Sequence, residues 1–212
     1  MFTLEEVRRT YADHEPGAIG RYRYYSVLVP FVEKDGHLHL MYEVRAYDLA
    51  ADPGEICFPG GHMERGETSA ETALRECEEE TGIPASRIEL IGQGNTLYGY
   101  ANYSLYTHIG VIQFEDYQKS NPQESEVAEL FLVPLSEIMA ADHKHYEEKV
   151  VAQLAEDFPY EHVGIDENYK WRYGRWIIPV FDAGGKVIWG LTARITEDVL
   201  GTMMQYRDRH GE

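Results

Sequence analysis

The chain has 212 residues, a formal net charge of −18 at pH 7 and a pI near 4.8. Such an acidic balance argues against partners that are themselves polyanions, so we expect no nucleic-acid partner and no membrane partner. With 43% hydrophobic residues, this length predicts a single soluble domain over residues 1–212, of which 1–20 form a possible N-terminal extension.

Predicted strands and helices alternate along the chain. Strands rich in β-forming residues are expected at 22–32, 37–45, 55–59, 88–97, 103–114, 127–133, 175–181 and 186–189. Helices are expected from Thr68 or Ser69 to about Thr81, from Pro134 over a short stretch, at 142–155 and at 191–206. This order favours an α/β fold with helices on both faces of a sheet. The first twenty residues are expected to pack on the core or on a second subunit, which would make a homodimer.

The cysteines predict a reducing compartment, and the histidines show no pattern typical of a metal site. Cys57 and Cys77 are both predicted to be small buried residues, and the N-terminus lacks the apolar core of a signal peptide. We therefore expect a cytoplasmic protein. His143 and His145 lie two residues apart on the helix predicted at 142–155, so their side chains are expected to diverge.

The strongest local pattern is acidic. Residues 61–83 read GHMERGETSAETALRECEEETGI, and Glu76, Glu79 and Glu80 lie at i, i+3 and i+4 of the predicted helix. Their side chains are expected to converge on one helix face, where like charges repel unless a cation lies among them. Carboxylate oxygens suit hard cations, so Mg²⁺ or Mn²⁺ is the expected cofactor. The alternative is a solvated acidic helix in an acidic protein.

This stretch resembles the Nudix box, the loop-helix-loop signature of hydrolases that cleave nucleoside diphosphates linked to another group. All seven fixed positions of the box are present: Gly61, Glu67, Arg75, Glu76, Glu79, Glu80 and Gly82. The resemblance implies a Nudix α/β/α sandwich with a mixed sheet.

The resemblance also implies roles for these residues. The implied metal ligands are the carboxylates of Glu76, Glu79 and Glu80 and the backbone carbonyl of Gly61. Glu76 or Glu79 would also help to deprotonate the attacking water, as the catalytic base. By helical geometry Glu67 and Arg75 are expected to point away from the carboxylate face and to form an ion pair that supports the box.

A second resemblance lies upstream of the box, where the chain reads MYEVRAYDLAADPGEICFPGG. It is similar to the signature of the coenzyme A diphosphatases, in which an Arg (here Arg45) precedes a Gly by nine residues and the segment ends in Phe-Pro-Gly-Gly. The signature opens with Leu-Leu-Thr where this chain has residues 41–43, Met-Tyr-Glu, and Ala50 replaces a second Arg. The resemblance implies substrate binding by Arg45, Phe58 and Gly60, and hydrolysis of coenzyme A or its derivatives to 3′,5′-ADP and 4′-phosphopantetheine.

Two other functions stay open. One is a Nudix hydrolase of ADP-ribose, a dinucleotide or a nucleotide sugar, and the other is a catalytically silent nucleotide-sensing regulator, against which the complete acidic set argues. Coenzyme A carries an additional 3′-phosphate, so a site for it should gather cationic groups, with candidates Arg45, Arg21, Arg23, Lys170, Arg172 and Arg175. Stacking on an adenine ring is expected from Tyr98, Tyr100 or Tyr103.

An acidic residue outside the box is expected to approach the metal from the other side, as in related enzymes. The segment 121–126 lies between two predicted strands and contains Glu124 and Glu126. Glu126 is the better candidate for a catalytic role because it directly precedes an apolar strand, which would hold it rigidly. The alternative is that both are solvated loop carboxylates.

Overall fold

The computed structural model describes residues 1–211, which contain ten β-strands and six α-helices. The strands are β1 Arg23–Lys34, β2 His37–Arg45, β3 Ile56–Cys57, β4 Gly60–His62, β5 Ile88–Gly99, β6 Tyr103–Ile112, β7 Val127–Pro134, β8 Lys144–Val150, β9 Gly174–Ala183 and β10 Lys186–Trp189. The helices are α1 Leu4–Ala12, α2 Ser69–Thr81, α3 Phe114–Gln118, α4 Leu135–Ala140, α5 Tyr160–Val163 and α6 Gly190–His210, with a 3₁₀ turn at Ala85–Arg87.

The main sheet has seven strands and is mixed, as predicted. Its central order is β3-β2-β1-β6-β5, with β4 paired to β1 and β7 paired to β2. β1 and β6 are parallel, whereas the other pairs are antiparallel. Asp35 and Gly36 make the β1–β2 hairpin turn with φ of 53° and 76°, the positive values that a two-residue turn requires. A separate three-stranded sheet has the order β10-β9-β8.

Side chains on β2 alternate between two apolar clusters, one on each face of the main sheet. Leu40 and Tyr42 point into the first cluster, and Met41 points into the second. The first cluster is covered by α6 and the second sheet, and the second cluster is covered by α2. These layers confirm the predicted α/β fold with an α/β/α sandwich.

Both ends of α2 form as predicted, because each has its own capping signal. Thr68 is the N-cap, and it exchanges hydrogen bonds with Glu71 in a capping box. Gly82 ends the helix in the left-handed conformation, with φ of 70°. These two local signals fix the helix that carries the acidic residues.

The helix predicted at 142–155 is wrong, since this stretch contains β8. The pairing of β8 with β9 overrides the helix preference of its Glu and Lys residues. The extended chain also places His143 and His145 on the same side, where a nitrogen of each lies 2.8 Å and 3.0 Å from Glu197 Oε1. The two histidines therefore converge instead of diverging.

Helix α1 does not pack on the core, which corrects one of the two expectations for the N-terminal segment. A capping box between Thr3 and Glu6 begins the helix, but none of its residues is buried. Packing on a second subunit stays a prediction. Among residues 1–211, no helix combines the length and apolarity needed to cross a membrane.

Candidate active site

The three acidic residues at the C-terminal end of α2 have different environments. Glu80 is 5% exposed, and its Oε2 accepts a hydrogen bond of 2.8 Å from the backbone N–H of Gly60. The Glu79 side chain is 52% exposed, and Glu76 is intermediate between the two. Burial therefore increases from the solvent edge of the helix toward the sheet.

Arg75 links the box loop to the helix. Its guanidinium donates to both carboxylate oxygens of Glu67, at 2.7 Å and 3.0 Å, so the expected ion pair is present. The same guanidinium also donates to Glu76 at 2.9 Å and to Glu79 at 3.1 Å. The expectation that Arg75 points away from the carboxylate face is therefore wrong, because its long side chain reaches the i+1 and i+4 positions.

Glu67 is fixed by three donors. Besides Arg75, it accepts hydrogen bonds from the backbone N–H of Glu64 at 3.0 Å and from the Thr72 hydroxyl at 2.8 Å. The hydrogen bonds from Arg75, then Glu64 and Thr72, hold the pKa of Glu67 well below its ordinary value. These contacts attach the box loop to helix α2.

The convergence expected for Glu76, Glu79 and Glu80 is not observed. Within residues 1–211, no three His, Cys, Asp or Glu side chains form a ready metal-binding group. Glu79 is turned toward Arg75, while Glu80 is turned toward Gly60 on β4. Because Glu79 is half exposed, its side chain has space for other rotamers.

Two glycines bring the β4 backbone close to this cluster. A Cβ at Gly61 would overlap the carboxylate of Glu76, and a Cβ at Gly60 would overlap the backbone of β1 at Ser26. The absence of a side chain at Gly61 therefore makes room for the Glu76 carboxylate itself, directly beside the β4 backbone. With carboxylates as the remaining donors, this arrangement fits a hard divalent cation such as Mg²⁺ or Mn²⁺.

A further carboxylate, not foreseen from the sequence, lies beneath the cluster. Glu43 is only 1% exposed and pairs with Cys57 on β3 and Leu130 on β7. The Cys57 thiol donates to Glu43 Oε1 at 3.1 Å, whereas Oε2 is buried without a partner in the described residues. The available signal was that Glu43 replaces the Thr of the Leu-Leu-Thr segment.

These carboxylates perturb one another. Burial, followed by the charge of Glu43, raises the pKa of Glu80, and burial is also the main cause that raises the pKa of Glu43. Burial raises the pKa of Glu76, to which the charges of Glu79 and Glu126 add. Several carboxylates with raised pKa values next to a cavity mark a candidate functional site.

Glu126 belongs to this cluster, and Glu124 does not. The charge of Glu126 contributes to the raised pKa values of Glu43, Glu76 and Glu80. Two backbone hydrogen bonds hold the preceding loop against the end of α2, from Asn121 N–H to Thr81 at 3.0 Å and from Gln123 N–H to Glu80 at 3.1 Å. Glu126 is partly buried, whereas Glu124 is exposed.

A cavity of about 740 Å³ opens beside Gly60 and Gly61. Arg45 lines it and is placed by an irregularity in the β2–β7 pairing between Val44 and Arg45. Its Nε is buried without a hydrogen-bond partner among residues 1–211. The three residues predicted to bind substrate, Arg45, Phe58 and Gly60, all border this cavity. Phe58 is 3% exposed and stacks on Tyr42 at 4.8 Å, so it supports the wall more than it offers surface.

Only some of the other candidates border the cavity. Among the cationic candidates besides Arg45, Arg23 lines it, whereas Arg21, Lys170, Arg172 and Arg175 do not. Tyr100 and Tyr103 line it, whereas Tyr98 does not. Sequence reasoning missed Trp176 and Trp189, because the strands β9 and β10 that carry them reach the cavity only through tertiary packing.

Comparison with known proteins agrees with this site. The NUDIX domain family matches residues 23–154. Over 136 residues the chain is 37% identical to the peroxisomal coenzyme A diphosphatase NUDT7 of Mus musculus, covering 63% of this chain and 56% of that protein. Over 177 residues it is 27% identical to the mitochondrial coenzyme A diphosphatase NUDT8 of Homo sapiens, covering 82% of this chain and 67% of that protein.

The chain thus spans little more than half the length of the mouse relative. A MutT/nudix family protein from Enterococcus faecalis is a similar solved structure, with 18% identity, a TM-score of 0.45 and coverage of 63% of this chain and 51% of that chain. Because the family match extends over more than half of the chain and contains the complete box, the chain belongs to the Nudix family.

Proposed function

We propose that this Nudix protein is a divalent-cation-dependent diphosphatase that hydrolyses coenzyme A or its derivatives to 3′,5′-ADP and 4′-phosphopantetheine. The observation that carries the proposal is that Arg45 and Gly60, from the upstream signature, line the same cavity as Gly61 of the box. The printed names of the mouse and human relatives, both coenzyme A diphosphatases, support the same substrate.

The acidic cluster supplies the chemistry of this proposal. Glu76, Glu79, Glu80 and the Gly61 carbonyl would hold Mg²⁺ or Mn²⁺, which would neutralise phosphate charge and make hydroxide available near neutral pH. Glu76 or Glu79 accepts the proton of the attacking water, and Glu126 completes the cluster from the loop side. The water oxygen forms a bond to one phosphorus atom, and the bridging P–O bond breaks. The departing phosphate oxygen then takes up a proton from solvent.

Arg45 is the group best placed to bind the diphosphate. Its buried Nε lacks a partner, and a guanidinium binds phosphate oxygens in a bidentate manner. Arg23 borders the same cavity and offers a second cation in a chain that has Ala50 where the signature has Arg. In a protein of net charge −18, such local cations are what draws an anionic substrate into the site.

Aromatic side chains supply the remaining recognition. Tyr100, Tyr103, Trp176 and Trp189 border the cavity and offer faces and edges to an adenine ring. The cavity volume of about 740 Å³ lies within the usual range for small-molecule sites. The walls therefore suit the nucleoside half of the substrate, and Arg45 lies toward the reacting phosphates at Gly60.

We place the reaction in the cytoplasm because Cys57 and Cys77 are both free thiols, which a reducing compartment maintains. The relatives carry the words peroxisomal and mitochondrial in their names, so an organelle is the alternative location. Fluorescence imaging of the tagged full-length protein distinguishes the two.

A substrate panel tests the proposed function. Coenzyme A, ADP-ribose, diadenosine polyphosphates and NADH are each incubated with the protein and Mg²⁺ or Mn²⁺, and products are identified by mass. We expect 3′,5′-ADP and 4′-phosphopantetheine from coenzyme A, at a kcat/KM at least about tenfold above that for the other compounds. Comparable rates on all members would contradict coenzyme A specificity, and an absence of turnover on every member would favour the nucleotide-sensing regulator.

A further inference from the structure

Glu43 occupies the centre of the main sheet at the point where the box meets the upstream signature. Its neighbours across the strands are Cys57 and Leu130, and it lies two residues before Arg45. A buried carboxylate in the middle of a sheet is costly unless it is paired or coordinates a metal. Yet Glu43 makes no ion pair within residues 1–211.

The two oxygens of Glu43 differ in their surroundings. Oε1 accepts the hydrogen bond of 3.1 Å from the Cys57 thiol, and this contact fixes the orientation of the carboxylate. Burial, together with the charge and hydrogen bond of Glu43, raises the pKa of the Cys57 thiol, so that Cys57 stays a neutral donor. Oε2 is fully buried and lacks a hydrogen-bond partner in the part of the chain that the structure describes.

The charged residues around Glu43 are Arg45 and the carboxylates of the acidic cluster. The charges of Glu76 and Glu126 act on Glu43, and Glu43 in turn acts on Glu80. Glu80 is bonded to Gly60, which follows Cys57 by three residues, so β3 and β4 bring both buried carboxylates to the same place. Glu43 and Glu80 therefore reach the same part of the site, where a cation would relieve the repulsion between their charges.

We propose that Glu43 is an additional carboxylate of the divalent-cation site, with Oε2 as its cation-binding oxygen and Cys57 as the group that orients it. The inference rests on the proposed function, because it assumes that the acidic cluster holds a metal ion. It goes beyond the box, since the upstream signature has Thr at this position. A neutral hydroxyl there would bring one negative charge fewer to the cluster, so Glu43 should make this protein bind divalent cations more tightly.

A measurement of Mn²⁺ binding without substrate tests the proposed role of Glu43 directly. Free Mn²⁺ is measured by electron paramagnetic resonance during titration of the wild type and of the variants Glu43→Gln and Glu43→Thr. We expect the Kd for Mn²⁺ to rise by about tenfold or more in both variants, the scale seen when groups that support a metal site are removed. Glu33→Gln is the matched control, because it removes one charge from an exposed position on β1 and should leave the Kd unchanged.

Two features of the design separate the possible failures. Glu43→Thr introduces the signature residue and serves as a second variant in case Glu43→Gln loses its structure, and circular dichroism checks the fold of both. Unchanged Mn²⁺ affinity in the folded variants overturns the role of Glu43, and so does a wild type that binds no Mn²⁺. Weakened Mn²⁺ binding supports it even if coenzyme A is not a substrate, so the inference and the proposed substrate fail independently.

Discussion

Gly61 and Glu76 lie so close together that a Cβ at position 61 would overlap the Glu76 carboxylate. The contact joins strand β4 to the middle of helix α2, across the site where the acidic residues gather. The atoms that would be displaced belong to the end of a flexible side chain, and the backbone of Gly61 does not need a positive φ. A methyl group at this position should therefore disturb the site more than the fold.

Replacement of Gly61 by alanine should reduce activity while leaving the protein folded. The added methyl group pushes Glu76 out of place, and we expect kcat to fall by about 10²-fold, as for other small misplacements of catalytic groups. Steady-state kinetics with Mg²⁺ and a thermal melt measure both effects. Gly92→Ala is the control, because a Cβ there meets no atom within 4 Å. Equal activity of the two variants would remove Gly61 from the site.

Glu79→Gln and Glu80→Gln should both lose activity but should differ in stability. As direct ligands or as the base, each should lower kcat by about 10²-fold or more and weaken Mg²⁺ binding. Without metal, Glu80→Gln should melt at a higher temperature, because folding of the wild type requires Glu80 to hold a proton that the unfolded chain has lost, whereas Gln is neutral in both states and still accepts the bond from Gly60. Glu79→Gln should melt close to the wild type, since its ion pair with Arg75 is exposed. Wild-type turnover in both variants would contradict their assignment as ligands.

Local signals explain what the sequence predicted well. Thr68 and Gly82 cap α2 through contacts within a few residues, and Asp35-Gly36 makes a hairpin from its own backbone preferences, so neither depends on distant parts of the chain. The burial of Glu43 depends on pairing with β3 and β7, and β8 depends on β9. Propensity and periodicity do not contain such long-range pairings, which is why both were missed.

The prediction of the site residues was likewise correct only in part. The helical spacing placed Glu76, Glu79 and Glu80 at the correct end of α2, but it did not foresee that Arg75 holds two of them. Side-chain direction there depends on which opposite charge is within reach, and the spacing alone does not specify that.

Arg45 should control substrate affinity. Replacing it with lysine removes the planar fork but keeps the charge, so KM for coenzyme A should rise by roughly tenfold with a smaller change in kcat, and Arg45→Ala should do more. Arg172→Ala is the matched control, because Arg172 does not border the cavity and should leave KM unchanged. Initial rates over a range of coenzyme A concentrations separate the two parameters, and an unchanged KM in both Arg45 variants would place the diphosphate elsewhere.

Stability without metal should fall as the pH rises. Burial raises the pKa values of Glu43 and Glu80 above the ordinary 4.5, so above that pH the folded protein holds protons that the unfolded chain has lost. The pKa of Glu43 is raised to about 7 and that of Glu80 to about 9, so the free energy of unfolding decreases from about pH 4.5 to about pH 9, until both groups ionise in the folded state. Glu67, whose pKa is lowered, acts only at more acidic pH. Urea unfolding in EDTA should show this slope in the wild type and a shallower one in Glu43→Thr, and identical slopes would contradict the prediction.

The two glutamates of the loop before β7 should differ in their effect on catalysis. Glu126 is partly buried and its charge reaches Glu76 and Glu80, whereas Glu124 is exposed. If Glu126 approaches the metal from the side opposite the helix, Glu126→Gln should lower kcat by about 10-fold to 10²-fold and raise KM much less, because the interaction is needed in the transition state. Glu124→Gln makes the same chemical change two residues earlier, and its kcat should stay close to that of the wild type. A Mg²⁺ titration of both variants is the measurement. Glu126→Gln should need more Mg²⁺ to reach half of its maximal rate, and coinciding curves for both variants and the wild type would show that this loop has no catalytic part.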